Sequence, residues 1–115
     1  MLLPEGIPQD LRESVFILPE FDEGEAAWLK DDALAVISSL KGTTVAVSDV
    51  VVFEQVPWGY APGEPSWSCD RILSEPDPDY ASRSRAGALE FIRGCDCVPA
   101  ETLFALTFPV WKDAA

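Results

Sequence analysis

Carboxylates are the side chains best supplied for chemistry in this chain, with 20 aspartates and glutamates against 8 lysines and arginines. Asp31 and Asp32 are adjacent, so on a helix they point in different directions and do not converge on one substrate atom. Glu75, Asp77 and Asp79 alternate with prolines ahead of a predicted helix, where solvation and capping are their expected work. That run lacks the oxygen-donor pattern and the glycine of an EF-hand calcium loop. Asp49 interrupts an apolar, β-branched run and is expected to be a structural, partly buried acid, with Arg71, Arg83 or Arg85 as candidate partners. A small acid-dependent enzyme would pair Asp49 with a loop carboxylate as acid and base.

Other chemistries are removed by what is missing. The chain has no histidine, so Ser-His-Asp and Cys-His nucleophile systems and His-ligated metal sites do not arise within it. Cys69, Cys95 and Cys97 are an odd set and do not all pair internally. Cys95-Asp96-Cys97 offers two thiolates, but a zinc site would still need Cys69 and a carboxylate, a donor set unlike the complete Cys/His sets of structural zinc. The expected state is free, partly buried thiols in a reducing cytoplasm. Phosphate-binding glycine loops and the Gly-x-Ser-x-Gly nucleophile motif are absent. No catalytic residue, metal or cofactor is therefore expected.

At 115 residues the chain fits one domain, 1–115, and its 48% hydrophobic content is that of a folded protein. A formal net charge of −12 argues against wrapping DNA or RNA through phosphate contacts, and against anionic membrane surfaces. The opening Met-Leu-Leu-Pro-Glu-Gly has neither a basic n-region nor an apolar h-region, so no secretory leader is expected, and a cytoplasmic location follows.

The elements that must position these residues follow from periodicity. Pro8 to Glu13 suits a helical turn, and Ser14 to Leu18 reads as a short extended piece ended by Pro19. A helix is predicted over about 23–41, with Ala26, Leu29, Ala33, Val36, Ile37 and Leu40 on one face and Gly42 as its stop. Trp28 would lie off that stripe beside Asp31 and Asp32, either packed under a loop or offered to a partner. Thr43 to Val56 reads as strand, with Val50 to Phe53 central and covered on both faces. Pro57 to Asp70 is predicted to be an aromatic loop carrying Trp58, Tyr60 and Trp67, and Arg71 to Leu73 a short strand. A second helix starts near Pro78 with Asp77 as its cap and ends at Gly94, and Leu103 to Phe108 closes the chain as a strand. The class is α+β: a small mixed or antiparallel sheet with two main helices on one face, an αβ sandwich.

Nine of the acids precede position 33, while the bases gather toward the second helix. Acids that steer association, joined to aromatics that anchor it, are the complement of a basic protein surface. The same acids would equally serve to solubilise a small domain. The contact residues expected on this pattern are Trp58, Tyr60, Glu64 and Trp67 in the loop, then Trp28, Asp31 and Asp32 on the first helix. Trp28 and Trp67 would equally serve as core residues.

Several segments in order carry a family resemblance: Glu25-Ala26-Ala27-Trp28-Leu29, Asp32-Ala33-Leu34, Val45 to Val51, Trp67-Ser68-Cys69, Tyr80, Ser84, Ala88, Phe91-Ile92 and Leu103 to Leu106. Together they resemble the immunity protein 40 family, small proteins encoded beside bacterial polymorphic toxins of contact-dependent competition. Val47-Ser48 stands where that family's strand carries a glycine pair. The resemblance implies an α+β fold, no enzymatic activity, and an antitoxin role: binding and neutralising a cognate toxin domain by covering its active or substrate-binding surface. A basic toxin partner fits the charge. The alternatives of another class are the small acidic enzyme and an acidic nucleic-acid mimic that inhibits an unrelated protein.

Overall fold

A computed structural model describes residues 4, 6–16, 25–72, 74–95 and 101–109, leaving aside the side chains of Glu25, Glu64 and Pro65. Among the described residues seven elements follow one another: α1 (Gln9–Glu13), β1 (Glu25–Leu29), α2 (Lys30–Ser39), β2 (Asp49–Val56), β3 (Gly59–Ser68), α3 (Asp77–Gly94) and β4 (Thr102–Thr107). The strands form an open sheet in the order β1-β4-β2-β3, and every neighbouring pair is antiparallel. Phe16 adds a further rung outside β1: its N–H donates to the Ala27 carbonyl at 2.7 Å and its carbonyl accepts from the Ala27 N–H at 3.2 Å. The predicted α+β class holds, with the sheet antiparallel rather than mixed.

β4 is the last strand among the described residues and an inner strand of the sheet. Leu103, Phe104, Ala105 and Leu106 are all buried, because alternate side chains meet apolar layers on both faces. Phe104 and Leu106 face a core shared with Trp28, Val50, Val52, Ile37, Leu40, Ala88 and Ile92. Leu103 and Ala105 face the opposite side with Ala27 and Phe53. Each large aliphatic side chain buried in this way contributes roughly 1.5–3 kcal/mol relative to exposure.

The first helix is shorter than its periodicity predicts. Glu25 to Leu29 is strand, and α2 begins only at Lys30. Ala, Leu and Glu favour helix locally, but Ala26 to Leu29 is also an unbroken apolar run. Paired against β4, that run sends Ala26 and Trp28 to one core and Ala27 and Leu29 to the other, so tertiary burial overrides local propensity. Ala33, Val36, Ile37 and Leu40 keep their predicted shared face, and Gly42 takes a positive φ of 86° after the helix end.

The predicted 57–70 loop is instead a two-residue turn, Pro57-Trp58, followed by an edge strand. Gly59 pairs with Val56 and holds a φ of 136°, a conformation that favours glycine. An edge strand tolerates Pro62 and Pro65, whose missing N–H groups would break an inner ladder. Ser48 extends the hydrogen bonding of β2, its N–H donating to the Thr107 carbonyl at 2.9 Å and its carbonyl accepting the Cys69 N–H at 2.8 Å, whereas Thr43 to Val47, read from sequence as strand, lies outside the ladder. Its backbone is taken up by α3: the Arg85 guanidinium donates to the Thr43 and Val45 carbonyls at 2.9 and 2.7 Å, and Ser84 Oγ accepts the Val47 N–H at 3.0 Å. Arg71 and Ile72 are likewise not strand, and Leu73 lies outside the described residues.

α3 starts close to its predicted position. Pro76 takes the cap position, so Asp77 is the first helical residue, and Asp77 and Asp79 lie in the first turn with Arg93 in the last. Tyr80, Ala81, Ser84, Ala88 and Ile92 are buried at three- and four-residue steps.

A candidate partner-binding end of the sheet

The strand register sorts the candidate residues between two ends of the molecule. Leu29 at the end of β1 pairs with Leu103 near the start of β4, and Leu103 also pairs with Phe53 in β2. The β2–β3 turn, the start of α2 and the entry to β4 therefore share one end. Lys30 confirms that the end of α3 is there too, since its Nζ donates to the Cys95 carbonyl at 3.1 Å. The last β2–β4 rung is Glu54 with Thr102, so Gln55 and Val56 carry the turn beyond the body of the sheet. At about 3.3 Å per residue that overhang is roughly 7 Å.

Trp58 occupies the turn and is 80% exposed, the most exposed of the large hydrophobic side chains described. Tyr60, two residues on, is half-buried against the Phe53, Leu103 and Ala105 cluster. Asp31 is exposed and Asp32 half-buried in the first turn of α2, a favourable position for negative charge. Glu54 and Glu101, both exposed, join them at this end. Sequence reasoning missed these two: neither sits in a motif, and only the register of β4 against β2 brings them near the turn. Glu64 lies in β3, but its side chain is outside the described residues.

Two expected contact residues belong elsewhere. Trp28 is fully buried, and its indole N–H donates to the Leu11 carbonyl at 2.8 Å, so it offers nothing to a partner. It lies on a strand, not on a helix beside Asp31 and Asp32. Trp67 is half-buried across β3 with its indole against Gly87 of α3, where a Cβ would come within 2.7 Å of the ring. That fits the core alternative better than the contact one.

Asp49 is corrected in its partner. It is half-buried, as expected, but it accepts the Ser48 hydroxyl at 2.9 Å instead of pairing with an arginine. The three candidate arginines are committed otherwise. Arg71 pairs with Asp77, Arg83 with Glu75 at 2.8 Å, and Arg85 with backbone carbonyls, where burial lowers its pKa.

The end opposite Trp58 thus holds a closed polar network. The Arg83 Nε and Nη2 donate to both Glu75 oxygens, and the Ile72 N–H donates to the same carboxylate at 3.0 Å. These contacts, the Arg83 bonds foremost, hold the Glu75 carboxyl down at about 2. Arg83 Nη1 also reaches Cys69 Sγ at 3.1 Å, and the Tyr80 hydroxyl donates to the Cys69 carbonyl at 2.7 Å. The Tyr80 ring lies 4.9 Å from the Arg71 guanidinium and 5.7 Å from that of Arg83, and burial raises the Tyr80 pKa. Among the described residues no group of three or more Cys, Asp and Glu is placed to hold a metal ion, and no helix is long and apolar enough to cross a membrane.

Fold and site together describe a small α+β protein with an open antiparallel sheet, one helical face, and an acid-flanked aromatic turn projecting from one end. The sequence matches the family described as Immunity protein 40 over residues 17–108, most of its length, and the chain belongs to that family. Comparison with curated proteins and with solved structures returned no match.

Proposed function

We propose that this protein is the immunity partner of one cognate bacterial polymorphic toxin, held in the cytoplasm of the producing cell and acting by binding rather than by catalysis. Membership of the immunity family carries this reading. The carboxylates that an acid-dependent enzyme would use support it. Asp49 stands with Ser48 at one end of β2, and Glu75 and Asp77 are engaged by arginines rather than converging with it. A chain of net charge −12 is suited to a basic toxin surface, such as the phosphate-binding cleft of a nuclease, which it would cover in place of nucleic acid.

The test is co-expression with the toxin domain encoded beside its gene. Cells producing both should grow, cells producing the toxin alone should not, and the two proteins should copurify. Toxicity undiminished by an equal level of this protein sinks the proposal.

A further inference from the structure

We infer that the end of the sheet carrying the β2–β3 turn is the surface that meets the toxin, with Trp58 seated in an apolar pocket of that partner and Asp31, Asp32, Glu54 and Glu101 facing cations around the pocket. This assignment rests on the immunity reading and adds to it a location and a partner chemistry.

Three observations converge on this end. An indole that is 80% exposed on a projecting turn leaves a large apolar surface in water, while Trp28 is buried and Trp67 packs on α3. Tryptophan is also among the residues most often found to dominate binding energy at interfaces. The turn itself is built to hold the ring out. Val56 and Gly59 are paired across it, and Gly59 takes the positive φ that closes it in two residues. An anchor held in this way loses little freedom on binding.

The second observation is charge. Among the described residues the ion pairs are Arg71–Asp77 and Arg83–Glu75, both at the opposite end, so Asp31, Asp32, Glu54 and Glu101 keep their charge uncompensated by an ion pair. Among the described residues the cations at this end are Lys30 and Arg93, and the Lys30 ammonium is turned onto the last carbonyls of α3. The third is provenance: α2, β2, the turn and β4 each supply part of the surface, so it is formed only once the chain has folded.

A partner that fits is therefore a protein surface with a hydrophobic slot rimmed by lysine or arginine. Charge complementarity governs the encounter and the indole governs the lifetime of the complex.

The experiment measures binding of the neighbouring toxin domain to wild type and to Trp58→Ala, Asp31→Lys, Glu101→Lys and, as a control with the same charge change at the far end, Asp70→Lys. Thermal denaturation verifies that each variant folds. W58A is expected to weaken binding by about 30-fold, the effect of losing a hot-spot aromatic, mainly through faster dissociation. D31K and E101K are expected to slow association several-fold at low salt and to flatten its salt dependence, while D70K leaves both near wild type. Wild-type binding that W58A, D31K and E101K all retain overturns the assigned surface and leaves the immunity reading standing, as does a D70K effect equal to theirs. If wild type itself neither binds nor protects, the immunity reading falls and the surface assignment with it.

Discussion

The Trp28 indole N–H donates to the Leu11 carbonyl at 2.8 Å, fixing the first helical turn onto the first strand across 17 residues of chain. Trp28 is fully buried beneath α1 and α2, so the bond forms where neither partner has water as an alternative. A tryptophan that sequence alone leaves free to serve as a contact is thereby a direct link between the N-terminal turn and the sheet.

Trp28→Phe keeps a ring in the core but leaves the Leu11 carbonyl without its indole donor. The Ser14 hydroxyl still donates to that carbonyl at 3.2 Å, so the expected cost is about 0.5–1.5 kcal/mol for the lost hydrogen bond, with an added loss for the smaller ring. Urea unfolding should show the lower midpoint, and toxin binding per folded molecule should be unchanged.

Arg85→Ala should loosen the 43–47 segment without disturbing the sheet. This guanidinium is what holds the Thr43 and Val45 carbonyls against α3, with Ser84 completing the attachment at Val47. Amide hydrogen exchange should accelerate at Val47 and its neighbours while Val50, Val52 and Leu106 stay protected. Uniform acceleration across β2 and β4 would show instead that the segment is part of the global unit.

At Gly87 two effects oppose each other. Alanine favours an interior helical position by up to about 1 kcal/mol. Its Cβ, however, would stand 2.7 Å from the Trp67 ring, and forcing a ring aside in a packed layer costs about 1–3 kcal/mol. Gly87→Ala is thus expected to destabilise on balance, and Trp67 emission should shift red as its ring is displaced.

The Glu75–Arg83 pair predicts a defined acid sensitivity. The Glu75 carboxyl titrates at about 2 in the folded protein against an ordinary value of 4.5. A lowered folded-state pKa means that the unfolded chain takes up the proton first on acidification. The contribution to stability is complete above 4.5 and fades as pH falls from there to about 2. Comparing urea midpoints of wild type and Glu75→Gln across that window should show a gap at neutral pH that closes in acid. A gap independent of pH would mean that the carboxylate's charge is not what matters.

Much of the architecture was legible in the residues. α3 could be read from Pro78, its acidic first turn and its buried steps. β4 could be read from Leu103 to Phe108, and the inner position of β2 from Val50 to Phe53. The misreadings have one cause: local pattern is silent about what packs on the other side. Ala26 to Leu29 fits a helix stripe and a two-faced strand equally well until β4 is known to lie beside it. Prolines and glycines after Val56 signal a loop unless the strand is at an edge, a property of the whole sheet. Thr43 to Val47 has strand-forming residues, yet Arg85, some forty positions later, takes its carbonyls. Trp58, Asp31 and Asp32 could be picked out individually, but Glu54 and Glu101 could not, because nothing near them in sequence says which end of the sheet they reach.

Pro62 on β3 has a consequence at high protein concentration. Ten residues of strand with a free margin would ordinarily invite a second chain to add itself there. A proline at that margin supplies no amide hydrogen, so an incoming strand would lose a rung where it most needs continuity. The strand that delivers the tryptophan turn is thereby a poor seed for self-assembly by strand addition.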